Sequence, residues 1–160
     1  MIKILYLMNQ TFNVLFISPS LPPIHCGIGD YTHSLIKNLS KKNIYNLAVV
    51  TDIKADIDQS IDNIKVYSKM NNWKFSDLNR LIKILNDFKP DLIHIQHAPG
   101  TYHGGFLPYC LPAILFFRKF KIINTMHEGY TIRNIFKLFL LTTFSKEFIS
   151  VRPNFRSNIH

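Results

Sequence analysis

The strongest constraint in this chain is its alternation of short, apolar runs with longer stretches whose apolar residues recur at helical spacing. Asn13-Val14-Leu15-Phe16-Ile17 is such a run, closed by Ser18-Pro19. The stretches 46–51, 64–67, 91–97, 122–126 and 148–151 repeat it. Continuous apolar segments of this length fit strands buried on both faces. Between them, Ile28, Tyr31, Leu35, Ile36 and Leu39 share one helical face, in a helix starting near Gly27 with Lys41 and Lys42 at its end. Leu78, Leu81, Ile82, Leu85 and Phe88 share another, with Ser76 as its expected N-cap and Pro90 as its stop. The stretches 108–119 and 131–143 read as further helices, the former shortened or delayed by Pro112. Strands alternating with helices predict an α/β fold: a Rossmann-like parallel sheet with helices on both faces. Right-handed crossovers favour the strand order 3-2-1-4-5, with a sixth strand beyond.

A chain of 160 residues makes one domain and is too short for two Rossmann units. The expected domain spans 13–151, with 1–12 as an N-terminal extension and 152–160 as an irregular tail. No apolar run reaches the length of a membrane span. The stretch from Met1 to Met8 mimics a signal peptide, but it is short and Asn9-Gln10-Thr11 follows without a small-residue cleavage site. The reading is a cytoplasmic protein. Cys26 and Cys110 stand far apart with no CxxC, which suits a reducing compartment.

Lys plus Arg number 19 against 10 Asp plus Glu, a net charge of +9 that suits anionic partners. Arg118, Lys119 and Lys121 lie beside Phe116, Phe117 and Phe120, and Arg133 and Lys137 lie among Phe136 and Phe139. Two readings fit: a solvated helix edge with its apolar side in the core, or peripheral contact with an anionic membrane. No helix-turn-helix, zinc-finger or RNA-binding signature accompanies the charge, so nucleic acid is not an expected partner.

Ligands of open α/β sheets bind outside the carboxyl ends of the strands, where the order reverses. That rule gathers Gly27-Ile28-Gly29, His97 and the loop through His103, and His127 with Glu128. The glycines permit close approach of the backbone, and the helix after them offers free N–H groups to a phosphate. They do not make a dinucleotide fingerprint, because Thr32 stands where Gly or Ala belongs. His127 can hydrogen-bond a polar substrate near neutral pH, and Glu128 can orient it or bind a hydroxyl. His94, His97, His103 and His127 raise the question of a metal. His94 and His97, three apart on a strand, point to opposite faces, so no metal and no cofactor is expected and His94 reads as a core residue.

These stretches resemble the N-terminal domain of a GT-B glycosyltransferase of the large retaining group-4 family. The likeness runs through Val14–Pro19, Pro22-Pro23 and Gly27-Ile28-Gly29-Asp30-Tyr31, through Lys89-Pro90-Asp91-Leu92-Ile93-His94-Ile95-Gln96-His97, and through Ile122-Ile123-Asn124-Thr125-Met126-His127-Glu128. It implies transfer of a sugar from a nucleotide-diphosphate donor to a hydroxyl acceptor, lipid- or polysaccharide-linked, with retained configuration. It implies that Gly27 and Gly29 lie against the donor diphosphate and the acceptor, that His127 contacts the transferred sugar, and that His97 shapes the acceptor pocket. The family's common Gly-Gly pair reads Cys26-Gly27 here. The resemblance also implies a second Rossmann domain with most of the nucleotide contacts, towards which 152–160 would lead, so the chain alone should be weak or inactive.

Other classes remain open at this stage. One is a non-catalytic acceptor- or membrane-docking subunit of a split glycosyltransferase, paired with a separate C-terminal domain chain. Another is a nucleotide- or NAD-binding Rossmann domain, for which Asp52 after the second strand would hold ribose. A third is a basic nucleic-acid binder.

Overall fold

A computed structural model describes residues 11–55, 64–98, 100–128 and 135–151. Its strands are β1 (Phe12–Ile17), β2 (Tyr45–Asp52), β3 (Lys65–Met70), β4 (Leu92–His97), β5 (Ile122–Met126) and β6 (Glu147–Ser150). All pair in parallel in one sheet of order β3-β2-β1-β4-β5-β6, the Rossmann-like arrangement read from the sequence. Its helices are α1 (Gly27–Ser40), α2 (Leu78–Phe88), α3 (Leu107–Phe117) and α4 (Ile135–Thr143).

Alternate residues of each strand feed opposite cores. Val14 and Phe16 join Leu47, Val49 and Val66 beneath Ile36 of α1. Leu15 and Ile17 join Ala48, Val50, Ile93 and Ile95 beneath Leu81 and Leu85 of α2 and Leu111 and Leu115 of α3. Leu138 and Leu141 of α4 pack with Met126, Tyr109 and Phe148. Each large aliphatic side chain buried this way contributes about 1.5–3 kcal/mol, which only a sheet covered on both faces collects from every strand residue.

Several local expectations are corrected. The N-cap of α2 is Asp77, not Ser76. Its carboxylate instead accepts the N–H groups of Asn71, Asn72 and Trp73 at 2.9–3.2 Å and pairs with Arg80 at 2.6 Å. It therefore fixes the preceding loop. Pro112 neither shortens nor delays α3, which starts at Leu107 and runs through it. The ladder bond lost at Pro112 is offset by a segment whose Leu111, Pro112 and Leu115 are all buried. Tyr31 leaves the apolar face of α1, where Thr32 is buried instead, and is 39% exposed. β1 begins at Phe12, whose N–H donates to Ile44, and β6 begins at Glu147. The expected extension up to residue 10, the tail 152–160 and the helix start at 131–134 lie outside the described residues.

Candidate functional site

The parallel order sets the carboxyl ends of β1, β4 and β5 side by side. From β1 the chain passes through Ser18 and Ser20 into α1. The hydroxyl of Ser18 donates to the carbonyl of Ser20 at 2.8 Å and lies 3.1 Å from Thr32 Oγ1, while Thr32 donates to Ile28 O at 2.7 Å. Thr32, the residue that breaks the dinucleotide fingerprint, thus ties the loop to the first turn of the helix. A Cβ on Gly29 would come within 3.0 Å of Ser20 Oγ and 3.2 Å of its carbonyl, so glycine permits this close approach. A Cβ on Gly27 would meet nothing within 4 Å. Gly27 is exposed whereas the side chain of Ile28 is buried. What this segment offers a ligand is therefore the bare face of Gly27 and the backbone donors of the first turn, at the positive end of the helix dipole.

Cys26 is the N-cap residue, with extended backbone. Burial pushes its thiol pKa up, but the Ser20 hydroxyl and the backbone N–H groups of Gly29 and Ile28 outweigh this and hold it below the usual thiol value.

His127 follows β5 directly, and its N–H donates to the carbonyl of His97 at 2.9 Å. Its ring meets that of Tyr31 edge to face, with centroids 4.8 Å apart and planes at 78°. The first turns of α1 and the end of β5 therefore share one edge of the sheet. Inward, Nε2 of His127 lies 2.7 Å from Oε1 of Gln96. Burial lowers the pKa of His127, partly countered by the charge of Glu128. Glu128 is exposed beside it.

The other histidines are placed differently. His97 is fully buried, stacked on Tyr102 at 5.4 Å and edge-on to Tyr109 at 4.8 Å. Burial, with the charges of Lys137 and His127, drives its pKa down to about 3. Its ring has no face towards solvent, and what it gives the His127 position is its carbonyl. His94, as expected, is embedded: its ring packs on Phe16 at 5.1 Å, and burial, aided by His127, lowers its pKa to about 4. His103 lies against Asp52 on β2, away from His127. Among the described residues no group of three His, Cys, Asp or Glu comes together as a metal site. Tyr31 and Gln96 are the site neighbours that pattern reading missed. The one available signal was a carboxamide between two histidines in β4, since a polar residue in a strand expected to be buried is the informative kind.

A six-stranded parallel sheet in this order, with helices on both faces, defines a Rossmann-like α/β domain. The match with protein families narrows this class: the glycosyl transferase 4-like family matches residues 24–139, most of the chain, and the chain belongs to that family. The matched stretch contains Gly27, Ile28, Gly29, His97, His127 and Glu128. No curated protein and no solved structure matches the chain. Among the described residues no helix is long and apolar enough to cross a membrane.

Proposed function

We propose that this chain is the acceptor-side, N-terminal domain of a glycosyltransferase that moves a sugar from a nucleotide-diphosphate donor to a hydroxyl with retained configuration. The observation that carries this reading is the Tyr31–His127 contact, which joins the first turns of α1 to the end of β5. In this reading the donor diphosphate lies over Gly27, where no side chain intrudes, and takes hydrogen bonds from the first-turn N–H groups. As the glycosidic bond breaks, positive charge builds on the sugar and negative charge on the leaving diphosphate. The helix dipole stabilises the latter from a fixed position. His127 hydrogen-bonds the sugar and holds its pose, Glu128 reaches a hydroxyl, and His97 acts through its carbonyl by fixing the backbone of His127. In this reading residues 13–151 form the domain, and a second Rossmann domain supplies most nucleotide contacts.

The test is a titration of the chain with nucleotide-diphosphate sugars, followed by amide NMR, for wild type and His127→Ala. Shifts at Gly27–Gly29 and His127 that need at least tenfold more ligand in the variant support the reading. Shifts that leave Gly27–Gly29 and His127 unmoved at millimolar ligand while other residues respond, or equal binding by the variant, overturn it.

A second reading concerns location. Phe116, Phe117, Ile135, Phe136 and Phe139 are each more than half exposed. Phe144 touches both Phe116 and Phe117, and Arg118, Lys119, Lys121 and Lys146 are exposed around them. Aromatic side chains rimmed by cations suit the headgroup region of an anionic bilayer, where a lipid-linked acceptor would be met.

A further inference from the structure

We infer that Gln96 is a positioning residue that decides which ring nitrogen of His127 carries the proton where substrate is met. The inference rests on the reading of His127 given above. Gln96 is fully buried on β4, opposite Thr125 of β5. Its Oε1 is an acceptor only, so the 2.7 Å contact makes Nε2 of His127 the donor. Neutral imidazole has a single N–H, and Nδ1 is left with its lone pair.

The carboxamide is itself held. Its Nε2 lies 3.3 Å from Nε2 of His94, and Thr125 Oγ1 lies 2.7 Å from the same nitrogen. An amide NH2 only donates, so His94 accepts there, which requires a neutral ring. Burial keeps His94 neutral down to about pH 4. The donors therefore run from His127 through Gln96 to His94, and the Thr125 hydroxyl shares the one lone pair of His94 Nε2 with the amide. The consequence is chemical. Committed inward through Nε2–H, and kept neutral by burial, His127 meets a sugar hydroxyl as an acceptor through Nδ1. It holds that hydroxyl and is not poised to give a proton to a leaving group.

The experiment is NMR of the ring nitrogens of His127 in the uniformly labelled chain without substrate. In wild type near pH 7.5, Nε2 should show the protonated shift and Nδ1 the unprotonated one. In Gln96→Leu the two shifts should move towards each other as both tautomers populate. In Gln96→Glu, which keeps the shape, a carboxylate faces Nε2–H, and the titration midpoint of His127 should rise by at least one unit, about tenfold in proton affinity. A protonated Nδ1 in wild type, or an unmoved midpoint in Gln96→Glu, overturns the inference. Should Gln96→Leu fail to fold, the other two measurements decide. A purely structural role for Gln96 would alter stability without moving the tautomer or the midpoint. No sugar is present, so these signals stand apart from the sugar-nucleotide titration, and either result can fail alone.

Discussion

Oδ2 of Asp52, at the end of β2, lies 3.0 Å from Nε2 of His103 in the loop after β4. The contact lacks the alignment of a good hydrogen bond, and the ring is what faces this otherwise unpartnered buried oxygen. Oδ1 accepts the N–H of Lys54 at 2.8 Å. Asp52 is 1% exposed, so the acid that a ribose-binding domain would offer to solvent is sealed inside a contact between loops. NAD should show no saturable binding in calorimetry, and saturable binding that Asp52→Asn abolishes would restore the dinucleotide reading. His103→Ala removes the ring that faces Oδ2 and leaves the Lys54 N–H on Oδ1. It should cost about 1–3 kcal/mol in urea unfolding.

Acid should destabilise this fold through its buried histidines. His94 and His97 titrate near 6.5 when unfolded but near 4 and 3 in the fold, mainly because burial penalises the charged ring. Below pH 6.5 the unfolded chain therefore binds protons that the folded chain refuses. The stability present above pH 6.5 is lost as pH falls, until about 4 for His94 and about 3 for His97. Each histidine contributes up to about 1.4 kcal/mol per pH unit in its window. Denaturant unfolding between pH 7 and 4 should be shallower in pH for His97→Phe than for wild type by about that slope. Parallel curves would mean that the ring is protonated in place.

The sheet was legible because each strand is a short apolar run and each crossover has one hand, so β3-β2-β1-β4-β5-β6 follows from pattern and geometry. Pattern also brought Gly27–Gly29 and His127 to one edge, since that depends only on strand ends. What escaped is decided by partners distant in sequence. Tyr31 has the spacing of a core residue, yet the ring of His127 holds it outside. Asp77 and not Ser76 precedes α2, and its carboxylate serves three N–H groups of the loop in place of the helix end. His97 has the sequence position of a pocket residue, yet Tyr102 and Tyr109 enclose its ring. Gln96 was one of three polar residues in β4, and its meaning needed the ring across on β5.

Glycines at two positions should respond oppositely to alanine. A Cβ on Gly105 would fall 2.3 Å from the carbonyl oxygen of Trp73 and 2.6 Å from its carbon. Both are backbone atoms in a loop pinned by Asp77, so neither yields easily. Gly105→Ala should lose on the order of 2–3 kcal/mol. Gly27→Ala meets open space and should unfold no earlier than wild type, perturbing only the approach of ligand. Thermal melting orders the two, and a Gly27→Ala that melts well below wild type would mean that the surface over Gly27 is not open.

The thiols should separate by reactivity. Cys26 is held below the usual thiol pKa by Ser20 and the N–H groups at the start of α1, which outweigh its burial, whereas burial alone pushes Cys110 up. Thiolate is the nucleophile, so iodoacetamide at pH 7.5 should alkylate Cys26 several-fold faster than Cys110. Ser20→Ala should narrow the gap. Mass spectrometry of timed aliquots reads both rates at once, and equal rates would show that the hydrogen bonds at Cys26 are too weak to matter.

Membrane contact has a clear electrostatic signature to check. Between Gly105 and Lys146 the sequence carries Arg118, Lys119, Lys121, Arg133, Lys137 and Lys146 against Glu128 alone. Phe117 and Phe136 are 75% and 63% exposed, so each has most of its ring to give to an interface. Sedimentation with vesicles containing phosphatidylglycerol should pull the chain down, and vesicles of phosphatidylcholine alone should not, because the cations and not the rings supply the long-range attraction. Raising salt to 0.5 M should release most of the bound protein, since the Debye length falls to roughly half its physiological value. The double variant Phe117→Ser, Phe136→Ser keeps every charge and should bind at least tenfold more weakly. Equal binding to neutral vesicles, or a variant that sediments as well as wild type, would leave these rings to be covered by protein and not by lipid.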